Sequence, residues 1–263
     1  CKDKEMLDKS SSGGMFGVLA RHVIENGGVV FGAAFDDSLS VLHIMIDSME
    51  KLDMLHGSKY VQSFIGHTYQ QAKEALNNDK MVLFSGTPCQ IAGLYHFLGK
   101  DYNNLYTCDI ICHGVPSPGI YKKYLEYIKS KLGKDILKYE MRSKLNGWSP
   151  LSSTILFLSD GSQTKEDNAF RDPYMNGFLS NLYLRKPCYS CNFAKIERDS
   201  DITIGDFWGI GNEIEFKYET KQGVSLVMVN SIKGEKLIDD CKGQFVYEER
   251  TLEEAVAGNS MLL

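Results

Sequence analysis

Two cysteines separated by two residues, Cys188 and Cys191, give the strongest chemical signal in the sequence. A short turn at this spacing lets both thiolate sulfurs face the same metal centre. A complete site needs two further ligands, because closed zinc sites and iron–sulfur clusters both use four. Cys89 and Cys112 are the best candidates, since each follows an apolar run that is typical of a buried strand. We therefore predict one metal centre with the ligands Cys89, Cys112, Cys188 and Cys191.

The spacing of these cysteines leaves the metal open. Four thiolates hold structural zinc as readily as they hold an iron–sulfur cluster. Alternatively, Cys89 and Cys112 are two buried thiols, because free cysteine is common in protein cores. We assign Cys108, within an apolar strand, and Cys241, on an amphipathic helix, to the core.

A run of small residues, Ser10–Gly14, precedes a predicted helix. Small residues let an anion approach the backbone N–H groups at a helix start, where the helix dipole is positive. A flavin pyrophosphate would suit this place, and plain helix capping is the alternative. We take Ser11, Ser12, Gly13 and Gly14 as candidate cofactor contacts. The run lacks the Gly-x-Gly-x-x-Gly spacing, so a Rossmann site is not indicated.

A compact polar loop, residues 57–63, offers a second set of candidate contacts. Lys59, Gln62 and Ser63 could contact a ribityl chain or a phosphate. A solvated connection is the alternative interpretation of the same loop.

Two further residues are candidates for orienting a flavin or a small redox carrier. His113 directly follows Cys112, and Asp206 follows a predicted strand in the segment Gly-Asp-Phe-Trp-Gly. Either could instead be structural, His113 as an ordinary loop residue and Asp206 as the acceptor of a helix cap. We find no Ser–His–Asp arrangement and no paired carboxylates that would indicate hydrolytic chemistry.

The elements that must position these residues alternate between strand and helix in the first half of the chain. The predicted strands there are Val29–Phe35, Val41–Ile46, Lys80–Phe84 and Leu105–Ile111. The predicted helices are Met15–Asn26, Thr68–Leu76, Gln90–Leu98 and a long helix capped by Ser117 and ended by Gly133. This alternation predicts α/β layers.

The second half is less regular and predicts an α+β arrangement. Its predicted strands are Ile136–Met141, Ser152–Leu158, Asp201–Ile204, Ser225–Val229 and Gln244–Tyr247. Its predicted helices are Tyr174–Leu184, Lys233–Cys241 and Leu252–Ala257. We place a boundary between an N-terminal α/β flavin-binding region, residues 1–133, and a C-terminal region, residues 134–263, that carries the Cys188–Cys191 loop.

Composition narrows the class of protein. The 263 residues are 43% hydrophobic and 24% charged, as in ordinary globular proteins. The net charge of -5 argues against nucleic acid and anionic membrane as partners. Apolar runs such as Val224–Val229 fall far short of the roughly 20 residues that span a bilayer. The odd count of seven cysteines favours metal binding or catalysis in the cytoplasm over a disulfide framework.

With these motifs the chain resembles the coenzyme F420 hydrogenase/dehydrogenase beta-subunit family. The matching segments, in the family's order, are Ser-Ser-Gly-Gly-Met-Phe (11–16), Gly-Ser-Lys-Tyr-Val-Gln-Ser (57–63), Leu-Phe-Ser-Gly-Thr-Pro-Cys-Gln (83–90), Cys-His-Gly-Val-Pro-Ser-Pro (112–118), Cys-Tyr-Ser-Cys (188–191) and Asp-Ile-Thr-Ile-Gly-Asp-Phe-Trp-Gly (201–209). The resemblance implies an FAD-binding α/β protein with a [4Fe–4S] cluster, and it adds Thr87 to the expected FAD contacts.

The resemblance also implies a reaction and partners. We expect an oxidoreductase that passes electrons between a hydride carrier (coenzyme F420 or a similar molecule), FAD and the cluster. Many family members carry a ferredoxin module ahead of this region, and no Cys-x-x-Cys-x-x-Cys run precedes Ser10. We therefore expect a ferredoxin-type domain or protein as electron partner, and Cys-rich motifs encoded upstream of Cys1.

Two other functions stay open at this point. One is a binding module whose four cysteines hold structural zinc. The other is a non-redox accessory protein linked to polysaccharide synthesis, because some family members are encoded beside such genes.

Overall fold

The computed structural model describes residues 1–262. Its strands are β1 (Val29–Phe35), β2 (Val41–Ile46), β3 (Val82–Gly86), β4 (Leu105–Ile110), β5 (Ile136–Ser143), β6 (Ser153–Leu158), β7 (Gln163–Glu166), β8 (Ile202–Asp206) and β9 (Ser225–Val229). Its α-helices are α1 (Lys4–Lys9), α2 (Met15–Glu25), α3 (Thr68–Asn77), α4 (Pro88–Leu98), α5 (Pro118–Leu132), α6 (Pro173–Leu179), α7 (Ile232–Cys241) and α8 (Leu252–Gly258). Short 3-10 helices cover Met49–Leu55, Ala169–Arg171, Lys186–Ser190, Lys242–Gln244 and Ser260–Leu262.

Six strands form one sheet in the order β2-β1-β3-β4-β8-β9. The four central strands β1, β3, β4 and β8 run parallel, and the edge strands β2 and β9 run antiparallel to their neighbours. The α/β fold class predicted from the sequence is confirmed. Because parallel strands end at the same edge, the loops that follow β3, β4 and β8 all start there.

Alternating side chains of the parallel strands pack on opposite faces of the sheet, as the two-residue period of a strand requires. Val30 and Cys108 belong to the apolar cluster that includes α2 and α7, where Cys241 is also buried. Phe31 and Phe84 belong to the opposite cluster with α3 and α4, and their rings stack at 5.3 Å. Both faces of the sheet are therefore covered by helices, and the two cysteines assigned to the core are buried there.

The register of β8 on β4 is fixed by a buried carboxylate. Asp201 immediately precedes β8 and is 2% exposed. Its Oδ2 accepts hydrogen bonds from both the backbone N–H and the hydroxyl of Thr107 in β4, each at 2.9 Å. Its Oδ1 accepts the Ser231 hydroxyl at 2.6 Å, which ties the start of α7 to the same point.

The smaller sheet, in the order β5-β6-β7, packs with α5 and α6 around a second buried carboxylate. Asp172 is 2% exposed, and its Oδ2 accepts from the hydroxyls of Tyr124 at 2.9 Å and Tyr139 at 2.7 Å. Its Oδ1 accepts the backbone N–H groups of Tyr174 and Met175 and so caps α6. One side chain thus joins α5, β5 and α6.

The long helix α5 has the ends that the sequence predicts. The Ser117 side chain accepts the Ile120 N–H, and Gly133 ends the helix at φ 63°. None of the described helices is both long and apolar enough to cross a membrane.

Two predicted elements differ from the structure by more than two residues at an end. The helix expected over Tyr174–Leu184 ends at Leu179, because Asn181 adopts a left-handed backbone at φ 58°. The strand expected at Gln244–Tyr247 is wrong: a 3-10 turn, Lys242–Gln244, starts this segment, and within residues 1–262 its remainder joins neither sheet.

The six-stranded sheet takes strands from both sides of the boundary predicted between residues 133 and 134. β1 to β4 come from the first region, whereas β8 and β9 come from the second and enter the same sheet. The second region also supplies the whole three-stranded sheet. The division into two regions as such stays a prediction.

Removing the Asp201 carboxylate tests the register contact. We expect Asp201→Ala to lower the free energy of unfolding by about 2–3 kcal/mol, because it leaves the buried Thr107 N–H and hydroxyl without their charged acceptor. Urea denaturation measures this loss. Asp199→Ala, an exposed carboxylate two residues away, is the matched control and should stay within about 0.5 kcal/mol of the parent. Equal effects of the two substitutions would contradict the role given to Asp201.

Candidate functional site

A cavity of about 680 Å³ opens at the carboxyl edge of the parallel strands. Its wall includes residues from the ends of β3, β4 and β8, the start of α2, the loop at residues 56–63 and the 3-10 helix Lys186–Ser190. The carboxyl edge of the sheet, where the loops after the parallel strands start, therefore also encloses space for a ligand.

The cavity brings together most of the residues singled out from the sequence. Those that line it are Ser11, Ser12, Gly14, Lys59, Gln62, Ser63, Thr87, Cys89, Cys112, His113, Cys188 and Asp206. Gly13 and Cys191 are not among the lining residues.

Gly13 is a packing residue, because a Cβ built on it would lie 2.5 Å from the backbone nitrogen of Ser225. The structure also differs from the alternative of plain capping by a serine side chain. The N-cap of α2 is Gly14 at φ 84°, a left-handed conformation that favours glycine, and it makes no side-chain cap. The start of α2 is thus lined by small residues and carries no capping hydroxyl of its own.

Lys144 holds the serine-rich loop in place. Its ammonium donates to the carbonyl oxygens of Leu7 at 2.8 Å, Ser12 at 2.7 Å and Gln222 at 2.6 Å. Burial and the nearby Arg142 lower the pKa of Lys144 to about 8. One side chain from the end of β5 therefore joins α1, the loop before α2 and the loop before β9.

The polar loop at residues 57–63 is stabilised by hydrogen bonds that its own side chains make. The Lys59 ammonium donates to the carbonyls of Met54, His56 and Gly57 at 2.8–3.3 Å, and burial lowers its pKa to about 7. The Gln62 carbonyl oxygen accepts from Arg185. Both residues line the cavity, but these groups are already engaged with the protein.

The cysteine segments are joined to one another by backbone contacts. Arg185 N–H donates to the Val115 carbonyl at 2.9 Å, and Pro116 forms a bridge with Leu184. Gly114 adopts φ 127°, and a Cβ there would lie 3.3 Å from the Cys188 Cβ. The loop that carries Cys112 therefore lies directly against the Cys188–Cys191 segment.

The chain that follows Cys191 is anchored by a buried ion pair. Arg198 and Asp109 of β4 lie 3.8 Å apart, with both side chains 1% exposed. Burial raises the pKa of Asp109 to about 6, while Thr203 and Arg198 oppose the shift. The Cys188–Cys191 segment is thus fixed to the β4 region on both sides.

The four predicted ligands share one electrostatic environment. Cys112 is partly exposed, and the pKa of its thiol is raised to about 12, chiefly by burial of the sulfur; the Gly114 N–H opposes the shift, and the nearby thiols of Cys89, Cys188 and Cys191 add to it. Cys89 and Cys191 are exposed. Thiolate charge at Cys112 is costly unless a cation lies beside it. Within residues 1–262 no group of three or more His, Cys, Asp or Glu side chains is arranged to hold a metal ion.

His113 and Asp206 both line the cavity, and they differ in whether their polar atoms already have hydrogen-bond partners. His113 packs edge-on against Phe178 at 4.9 Å, and its buried Nε2 has no hydrogen-bond partner among residues 1–262. The Asp206 carboxylate accepts two hydrogen bonds from Arg142 and one from the Trp148 indole at 2.6 Å. Asp206 therefore positions the cavity wall through Arg142 and Trp148.

A hydrogen-bonded chain runs along the cavity wall from His43 to Thr87. His43 Nε2 donates to the Ser85 carbonyl at 2.9 Å, so its Nδ1 accepts the Ser63 hydroxyl at 2.8 Å. Ser63 in turn accepts from the Gln90 amide at 2.9 Å, and the Gln90 carbonyl oxygen accepts the Thr87 N–H at 2.9 Å. Burial lowers the pKa of His43 to about 4, so the ring is neutral at pH 7.

A family model for the C-terminal part of the beta subunit of coenzyme F420 hydrogenase/dehydrogenase matches residues 79–255, more than half of the chain. The chain belongs to this family. A solved structure of the xenon-derivatised F420-reducing [NiFe] hydrogenase complex from Methanosarcina barkeri contains a chain of similar fold, with a TM-score of 0.61. The two share 18% identity over 99% of this chain and 82% of that chain. No curated protein gives a significant match.

Some residues of this family member that shape the cavity carried no signal in the sequence. Arg142 lies over the Trp208 ring at 5.0 Å, and Trp148 stacks on Trp208 at 4.5 Å. His43 also lines the cavity. These contacts join residues far apart in the sequence, and only an alignment of relatives could have indicated them.

The buried imidazole of His43 predicts a loss of stability in acid. The ordinary histidine pKa of 6.5 falls to about 4 in the folded protein, so between these values the unfolded state binds more protons. The stability from this group is fully present above pH 6.5 and declines as the pH falls toward 4, by roughly 3 kcal/mol in total.

Urea denaturation from pH 7.5 to pH 4.5 checks this expectation. His43→Gln should show a shallower loss of stability with acid than the parent. His96→Gln, at an exposed position on α4, should follow the parent curve. Parallel curves for the parent and His43→Gln would refute the assignment.

Proposed function

We propose that this protein is a flavin- and iron–sulfur-dependent oxidoreductase that passes electrons between a hydride carrier, FAD and a [4Fe–4S] cluster. The observation that carries the proposal is one cavity whose wall combines the start of α2 with three of the four predicted cysteine ligands. When bound, FAD would supply two-electron hydride chemistry and the cluster would supply single-electron transfer.

The chemistry of the donor set fits a cluster. Contacts of the 112–116 loop with the segment around Cys188 hold Cys112 near that segment, and Cys89 and Cys191 lie in the same electrostatic environment. An iron–sulfur cluster takes four cysteine thiolates, and the charge of its iron would relieve the cost of ionising Cys112. The thiols of Cys108 and Cys241 lie in the sheet core and are excluded from this role.

The cavity also fits a large ligand with polar groups. The side chains of Ser11, Ser12 and Ser63 line it, together with the start of α2, where backbone N–H groups favour a pyrophosphate. Buried Nε2 atoms of His56 and His113, both in the wall, lack partners among residues 1–262. Each such atom costs about 1–3 kcal/mol, which a ligand that bonds to it would recover.

For the carrier we propose coenzyme F420 or a similar hydride carrier, with His113 and Asp206 as the residues that orient the carrier or the flavin. The family is named for coenzyme F420, and the hydrogenase complex of similar fold is F420-reducing. His113 would bond to a ligand directly, whereas Asp206 would act through Arg142, which it holds against the cavity.

The electron partner we propose is a ferredoxin-type domain or protein. Cys89 and Cys191 are exposed, and this supports a cluster that a partner surface could reach. Ligation by reduced cysteines fits a cytoplasmic location.

Anaerobic reconstitution followed by mixing with candidate donors tests the function. The loaded protein should show flavin and iron–sulfur absorption and about four irons per chain. Reduced F420, NADH, NADPH or reduced ferredoxin should bleach the flavin within seconds, as expected for turnover of about 1–1000 per second. A folded colourless protein that binds zinc would establish the zinc module instead. A folded protein that binds neither metal nor flavin would establish the accessory role.

Single cysteine substitutions test the ligand set. Cys112→Ser and Cys188→Ser should lower the iron content from about four to below one per chain, because a cluster that loses one of its four thiolates is poorly held. Cys241→Ala, which removes a core thiol outside the cavity, should keep full iron. Full iron in Cys112→Ser would remove Cys112 from the set.

The place of the flavin is tested at the start of α2. Ser11→Asp would put a negative charge against a pyrophosphate and should weaken FAD binding about tenfold or more, since 1.4 kcal/mol corresponds to tenfold. Ser11→Asn has a similar size without the charge and should bind FAD as the parent does. Equal affinities of the two variants, measured by flavin fluorescence, would exclude this location.

A further inference from the structure

The Thr87 hydroxyl lies against the sulfur of a predicted ligand. Thr87 is the N-cap of α4, and its Oγ1 is 3.1 Å from the Cys89 Sγ, near enough for a hydrogen bond to sulfur. A second acceptor, the Gln90 Oε1, lies 3.2 Å from the same hydroxyl. The single hydroxyl proton of Thr87 therefore has two possible acceptors.

The surrounding contacts determine how the Thr87 proton can be used. The backbone N–H of Gln90 donates to the backbone carbonyl oxygen of Thr87 at 2.9 Å, so this N–H does not occupy the Thr87 hydroxyl. Gln90 Oε1 already accepts the Thr87 N–H at 2.9 Å. The sulfur of Cys89 has no such competing donor in this cap, and a charged acceptor makes the stronger hydrogen bond.

We propose that the Thr87 hydroxyl donates a hydrogen bond to the Cys89 sulfur when Cys89 is a cluster ligand. This hydrogen bond raises the reduction potential of the cluster. The inference rests on the proposed function, because it concerns the same cluster. Cluster reduction adds one electron and therefore one negative charge. A donor to a ligating sulfur stabilises the more negative, reduced state more strongly, so the potential rises.

Gln90 acts as a positioning residue for this contact. Its amide donates to the Ser63 hydroxyl, which donates to His43, and His43 donates to the Ser85 carbonyl. This chain fixes the side chain of Gln90, so its carbonyl oxygen competes with Cys89 for the Thr87 proton at a set distance. The hydrogen-bonded chain in the cavity wall therefore ends at an oxygen that competes with the proposed cluster ligand Cys89 for the Thr87 hydroxyl.

The experiment is a redox titration of the cluster in anaerobically reconstituted protein, followed by visible and EPR spectroscopy. Dithionite supplies the single electron and ferricyanide removes it. Thr87→Val lacks the donor and should lower the midpoint potential, whereas Thr87→Ser keeps the hydroxyl and should stay close to the parent. Ser117→Ala is the matched control, because it removes the N-cap hydroxyl of α5, which bonds the Ile120 N–H. Its potential should equal that of the parent.

A second substitution is expected to raise the midpoint potential, which a mere loss of the α4 cap would not explain. Gln90→Met removes the competing acceptor and leaves Cys89 as the acceptor of the Thr87 proton, so the potential should rise. If Thr87→Val does not retain the cluster, Gln90→Met decides the matter, and an unchanged or lowered potential overturns the inference.

The outcomes separate this inference from the proposed function. If cluster-loaded Thr87→Val protein has the same midpoint potential as Ser117→Ala protein, the inference is overturned and the proposed oxidoreductase function is unaffected. A parent protein that takes up no iron–sulfur cluster overturns the proposed function itself, and the inference with it.

Discussion

The parallel pairing of β8 with β4 is the constraint on which the site depends. Asp201 fixes it by accepting two hydrogen bonds from Thr107, so that Cys108 pairs with Ile202 and Ile110 with Ile204. The ends of β4 and β8 then meet, so the loop that carries Cys112 starts beside the end of β8, where Asp206 is the last residue. A shift of one residue would turn every side chain of β8 to the other face of the sheet.

Around this edge of the sheet, charged side chains chiefly make hydrogen bonds within the protein. Lys59 and Asp206 line the cavity and Lys144 holds its serine-rich loop, yet each is engaged with backbone carbonyls or neighbouring side chains. The groups left for a ligand are a helix start, small hydroxyls and imidazoles. Such a surface suits a bulky ligand held by many moderate contacts.

Much of the fold could be predicted because its signals are local. The strands Val29–Phe35, Val41–Ile46 and Ser225–Val229 were predicted with the bounds that the structure has, since apolar runs between turn residues define them. The family resemblance was also correct, and each of its motifs supplies residues of the cavity wall. The site was harder to predict: Gly13 proved to pack against Ser225, and the cap of α2 proved to be Gly14. The partners of Asp206 lie about 60 residues away, at a distance that no local pattern encodes.

The same β4–β8 pairing has a consequence for how the chain acquires its structure. Thr107 and Asp201 are 94 positions apart, and the whole three-stranded sheet is made between them. Until β8 arrives, β4 presents an open edge with unpaired backbone groups, the kind of surface that recruits other chains. A sheet closed by so distant a strand folds slowly, because loop-closure entropy is spent before the pairing is gained. The first 133 residues made alone would therefore be prone to aggregate through β4, and a chaperone that shields this edge would raise the yield of the whole protein.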